Sequence, residues 1–191
     1  MMARLSLMAT LCSLTLAGGA FAQTVGSETE RNVDQQQRIE QGLKSGQLST
    51  GEAARLENGE ARIDRMESNA LKSGNLSPAE KARIQGAQNQ ESRRIYAAKH
   101  NGVTGTPESA SSERMQKDVQ RNVNQQKRID QGIRSGSLSR RDVGELERGQ
   151  AKNAHREARA GADGNINARE QRRIQQADNR QSRRIYREKQ E

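Results

Sequence analysis

Three features of the sequence predict an all-α chain made of two tandem three-helix modules of helix–corner–helix repeats, joined by a flexible linker. Residues 31–99 align with 121–189 at a constant offset of ninety, without a gap and with 33 of 69 positions identical. A seven-residue phrase returns twice in each copy: LKSGQLS at 43–49, LKSGNLS at 71–77, IRSGSLS at 133–139 and GADGNIN at 161–167. The stretches between these phrases are rich in Ala, Glu, Gln, Arg and Lys, and their apolar residues recur at helical spacing, never with period two. Only 22 residues from Gln23 onward are Leu, Ile, Val or Phe, a share at which disorder is the default expectation. The ungapped repeat opposes it, because fixed element lengths imply packing.

The chain opens on a segment read as targeting rather than fold. Arg4 supplies a positive start, LSLMATLCSLTLAGGA is a short apolar run, and Ala20, Phe21 and Ala22 give a small-x-small cleavage pattern. Residues 1–22 are therefore expected to be a signal peptide cleaved after Ala22, which places the mature chain in the periplasm or outside the cell. Cleavage would remove the single cysteine, Cys12, and with it disulfides, thiol catalysis and thiolate metal sites. No transmembrane span is expected after cleavage.

Module 1 is expected over 23–99, with helices near 29–44, 50–71 and 78–98. HNGVTGTPESASSE, rich in Gly, Ser, Thr and Pro, opens a linker placed at 100–118. Module 2 follows over 119–191, with helices near 119–134, 140–160 and 168–188. Leu56, Ile63 and Ala70 form one apolar stripe, and Ile84, Ala87 and Ile95 form another that Glu91 interrupts. Asn153, Arg156 and Gly161 replace Ile63, Met66 and Leu71 in the second copy, so a looser second module is expected.

The repeated phrase reads as a sharp corner between helices. Gly46, Gly74, Gly136 and Gly164 can take the left-handed conformation that ends a helix, and the apolar residue two positions later folds back. Ser49, Ser77, Ser139 and Asn167 then cap the next helix, with Glu52, Glu80, Asp142 and Glu170 completing capping boxes. The rival reading, a degenerate EF-hand calcium loop, is weakened at the ligand positions, where Leu43 and Ile133 offer no side-chain oxygen and Arg159 would repel the ion. Only the fourth loop, with Asp163 and Glu170, places acids at two ligand positions and merits a test. No other metal site is expected, and no cofactor.

His100 and His155 occupy unrelated positions, and no nucleophile elbow, P-loop or zinc-protease pattern is present, so an enzyme is not expected. SRRIY, at 92–96 and 182–186, is the most specific phrase outside the corners. Arg93 and Arg94 with Tyr96, and Arg183 and Arg184 with Tyr186, lie near helix C-termini, where cations suit the dipole while Ile95 and Ile185 point inward beneath the rings. Paired arginines also form an anion site. The final helix adds Arg169, Arg172, Arg173, Arg180, Arg187 and Lys189. Two tyrosines and no other aromatic in the mature chain supply little base stacking. The expected partner is therefore an acidic protein or acidic envelope polymer, not a specific nucleic acid, and oligomerisation is compatible with the polar helix faces.

LSTGE at 48–52, LSPAE at 76–80 and LSRRD at 138–142 resemble the LTxxQ motif of periplasmic stress-response helical proteins, with Ser for Thr and an acid for Gln. That resemblance implies an exported helical chaperone or signalling adaptor. The overall texture is also similar to secreted bacterial helical-repeat proteins with no assigned activity. The leading expectation is an exported structural or interaction protein with basic helix faces, with a periplasmic chaperone or stress adaptor as the alternative and a degenerate EF-hand-like calcium binder as a third reading.

Overall fold

The computed structural model describes residues 16–190 apart from Asn75, with side chains from Val25 onward. Most of the expected signal peptide lies outside the described residues. Six helices and no strand occur among them: α1 Leu16–Lys44, α2 Thr50–Leu71, α3 Pro78–Lys99, α4 Ala110–Ser135, α5 Arg140–Ala160 and α6 Ala168–Glu188. The chain is all-α.

Capping chemistry sets the boundaries. At Ser49, Ser77, Ser139 and Asn167 the cap side chain accepts the N–H of the third helical residue, whose own carboxylate accepts the cap N–H. Gly46, Gly74, Gly136 and Gly164 all carry positive φ. Leu48 N–H donates to the Gly42 carbonyl at 2.9 Å, and Leu138 N–H to that of Gly132 at 3.2 Å. Each leucine returns to its own helix because the residue beneath is glycine. A Cβ on Gly42 would lie 2.6 Å from Leu48 Cδ1.

Two boundaries differ from expectation. α1 begins at Leu16, not 29. α4 begins at Ala110, capped by Ser109, so residues 110–118 are helix rather than linker. Beyond Pro107 the sequence has a cap and helix formers, and the breakers end there. The remaining connection is tied down: Gly105 N–H donates to the Gly46 carbonyl at 2.8 Å, and Asn101 Nδ2 to Glu52 Oε1 at 2.6 Å.

The largest packing surfaces join the repeats to each other, α2 against α5 and α1 against α4. Ile39, Leu43, Leu48, Leu56 and Ile95 form one apolar cluster with Met115, Val119, Ile166 and Ile174. Ile129, Ile133, Leu138, Leu146 and Ile185 form the other with Val25 and Leu71. The two clusters are built alike with the repeats exchanged, as in a two-fold dimer fused into one chain. The end of α1 meets the beginning of α4 and the reverse, so these helices run antiparallel. The repeats are not separate packing units.

The replacements expected to loosen the second repeat are compensated. Asn153 donates to Asp178 Oδ1 at 3.0 Å and accepts from Arg156 at 2.9 Å. Gly161 yields its side-chain space to Met115 and Ala54, whose atoms would lie 2.6 and 2.9 Å from a Cβ there.

Candidate functional site

Between the two apolar clusters the interior is polar. Glu57, Glu60, Asp64 and Glu67 line the inner face of α2, and Glu147 and Glu157 that of α5, all buried. Their spacing puts them on one helix face. Amides from α1 and α4 meet them. Asn32 Nδ2 donates to both Glu67 oxygens at 3.1 and 2.9 Å, Gln36 to Glu57 at 3.1 Å, and Gln126 to Glu147 at 3.1 Å. In the second repeat Asn122 reaches Glu157 at 2.7 Å.

Burial disfavours the charged form of each acid, and the carboxylates repel one another. Glu57 is pushed up to about 8 and Glu147 to about 7 by burial, against the relief of their amide partners. Asp118 rises to about 7 and Asp178 to about 6 for the same leading reason. Glu60, Asp64, Glu67 and Glu157 are also raised, by burial first and then by neighbouring carboxylates. Oxygens of Asp64, Glu67 and Glu147 lie within 4.8 Å of one another.

Glu91, the apparent defect in the α3 stripe, is part of this interior. A Cβ on Gly59 would overlap its carboxylate, so that glycine opens the slot it enters, and Arg94 pairs with it at 3.1 Å. In the second repeat Gly149 does the same for Gln181, whose Nε2 would stand 2.6 Å from a Cβ.

The exterior carries the opposite charge. A groove of about 530 Å³ between α5 and α6 is lined by Arg148, Lys152 and Arg156 from one helix and Arg180, Arg183, Arg184 and Arg187 from the other. All are exposed except Arg184, which is half-buried. Arg184 pairs with Glu145 and Glu188. None of the other six has an ion-pair partner among the described residues. The same positions in the first repeat are Asn58, Arg62, Met66, Gln90, Arg93, Arg94 and Ala97. Seven cations face three.

The structure thus brings Arg183 and Arg184 into one groove, while Arg93 and Arg94 lie on the corresponding surface of the other repeat. The tyrosines do not cover the isoleucines: Tyr96 and Tyr186 are 61% and 62% exposed, and Tyr96 stacks on His100 with ring centroids 4.1 Å apart. The aromatic ring finds a neighbour along its own helix end, while Ile95 and Ile185 sink into the clusters shared between the repeats. Asp163 accepts from Asn165 N–H at 2.9 Å and Glu170 from Asn167 N–H at 2.9 Å, so both acids of the fourth loop serve that loop's own backbone.

The sequence reading missed Arg148, Lys152 and Arg156 because the groove needs two helices to form. It missed the buried acids because a carboxylate is normally a surface residue. Their common helix face was the available signal. No family model, curated protein or solved structure matches the chain. No helix among the described residues is long and apolar enough to cross a membrane.

Proposed function

We propose that the chain is an exported, non-enzymatic protein that binds an acidic envelope polymer along the α5–α6 groove. The observation that carries this reading is the row of cations there, six of them without an ion-pair partner among the described residues. Uncompensated guanidinium groups on two facing helices suit the phosphates or carboxylates of a polymer. Sequestered acids add to the effect. Half of the chain's 24 carboxylate side chains are buried, so the solvent-facing surface is more positive than the formal net charge of +9. A chaperone role has less support, since the exposed large apolar side chains among the described residues are Tyr96, Val103 and Tyr186.

The test is a titration with polyphosphate and with a polyuronate at two ionic strengths. Replacing Arg148, Arg180, Arg183 and Arg187 with Gln should remove most of the binding and flatten its salt dependence, because fewer counterions are released. Replacing Arg62, Arg83 and Arg93 with Gln should leave binding close to that of the parent. Equal losses from the two sets would reduce the reading to general surface charge.

A further inference from the structure

We infer that Asp64, Glu67 and Glu147, with Glu28 beside them, form a binding site for one hard divalent cation between α1, α2 and α5. The inference stands apart from the groove and does not depend on it.

The geometry supplies the first argument. Asp64 and Glu67 come from successive turns of α2, and Glu147 faces them from α5, each offering an oxygen within 4.8 Å of the others. Oxygen donors around a cation at 2.0–2.6 Å lie, at most, roughly 4–5 Å from one another. No lysine or arginine among the described residues forms an ion pair with any of the three. Three carboxylates so close and so deeply buried need positive charge among them, carried by protons or by a metal ion.

A second observation points to the metal. Glu28 is 2% exposed, and its Oε2 accepts no hydrogen bond. It lines a small cavity of about 10 Å³ together with Thr29, Glu67 and Glu147. Glu147, 1% exposed, also leaves Oε1 without a donor. That volume is about what one water-sized ligand needs. Two residues with an unsatisfied oxygen thus line the same small cavity beside the cluster, whose other walls are Val25, Leu71, Leu76 and Val143.

The surrounding amides have the arrangement expected around ligating carboxylates. Asn32 fixes Glu67 through both oxygens, while Gln126 donates to Glu147 at 3.1 Å and to Asp64 at 3.5 Å. Such partners orient ligands from behind. An all-oxygen donor set favours Mn²⁺, Mg²⁺ or Ca²⁺ over softer metals. At the equivalent place in the other half, Glu57, Glu157 and Asp118 recur, but Ala154 stands where Asp64 would be. One ion per chain follows, not two.

The experiment uses the full mature chain after treatment with a chelator. Mn²⁺ is titrated in at slightly alkaline pH with long incubation, and the free ion is read by electron paramagnetic resonance; Ca²⁺ and Mg²⁺ are then tested as competitors. Uptake of one ion per chain with a raised thermal midpoint is expected. Asp64→Asn and Glu147→Gln should each weaken binding at least about tenfold while leaving the helical spectrum intact, since ligand loss should cost no less than loss of an orienting partner. If either variant fails to fold, the parent's stoichiometry and thermal shift decide. No uptake by the parent at millimolar ion would overturn the site, as would binding that both folded variants retain; in the first case protons alone neutralise the cluster.

Discussion

The two repeats carry the same number of acids and very different numbers of bases. Residues 31–99 contain nine Asp and Glu against twelve Lys and Arg, and residues 121–189 contain nine against eighteen. The acids are spent largely on the shared interior and on the caps, which both repeats must supply. The additional bases of the second repeat lie mainly on its exposed faces, including the α5–α6 groove. The copies therefore keep the same number of acids, five of the nine at equivalent positions, while the largest difference in charge lies in the bases of the exposed surface. The comparison separates residues that build the scaffold from residues that give one copy its own surface.

Cutting the chain should have the largest effect. Residues 25–104 and 105–190 expressed separately should each lose cooperative thermal unfolding as monomers, since each apolar cluster takes residues from both. Mixing the two pieces should restore a cooperative melt. A monomeric fragment that melts cooperatively alone would break the comparison at its base.

The next effect is set by pH. Glu57, Asp118 and Asp178 have pKa values raised to about 8, 7 and 6, so the folded chain holds protons that the unfolded chain releases near its ordinary carboxylate range. Their contribution to stability is fully present below that range and is lost as pH rises through those values. The capping acids Glu52 and Glu80 are shifted down and act in the opposite sense, losing their contribution as pH falls through their folded values. Thermal midpoints in metal-free buffer should therefore peak near the ordinary carboxylate range, about pH 4, and fall toward pH 8. Asp178→Gln, which copies the first repeat's Gln88, should flatten part of that fall. A midpoint that rises steadily to pH 8 would contradict the burial of these acids.

Smaller still are the glycine slots. Gly59→Ala and Gly149→Ala should each cost about 1–3 kcal/mol by overpacking against Glu91 and Gln181, as measured by denaturant unfolding. Gly86→Ala, on α3 with nothing within 4 Å of its Cβ, should instead stabilise by about 0.5–1 kcal/mol. The smallest expected change in stability, within about 0.5 kcal/mol, comes from surface grafting. Asn58→Arg, Met66→Arg, Gln90→Arg and Ala97→Arg together should leave folding nearly unaltered yet give the first repeat a second polymer-binding groove, seen as a doubled stoichiometry.

Helix number and corner chemistry were legible in the sequence because both are local. A cap, its partner three residues on and a glycine before it lie within one phrase. The partner of each apolar stripe was not legible, since periodicity identifies the inward face without saying what meets it; Ile39 beside Val119 cannot be read from either segment alone. The linker was misjudged for a related reason: its composition is loop-like only as far as Pro107, and its attachment to Gly46 is tertiary. Of the proposed groove, the α6 cations were visible as a run, whereas the α5 residues acquired meaning only once that helix lay beside α6.

The interleaved clusters also fix when the chain can fold. Val25 and Ile185 belong to the same cluster, so it stays incomplete until the last helix has been made. The other cluster needs Ile174 from that same helix. Contacts this distant in sequence slow folding because a long loop must close before they form. A first repeat emerging alone would have helical corners but no finished core. Such a chain stays open for most of its synthesis.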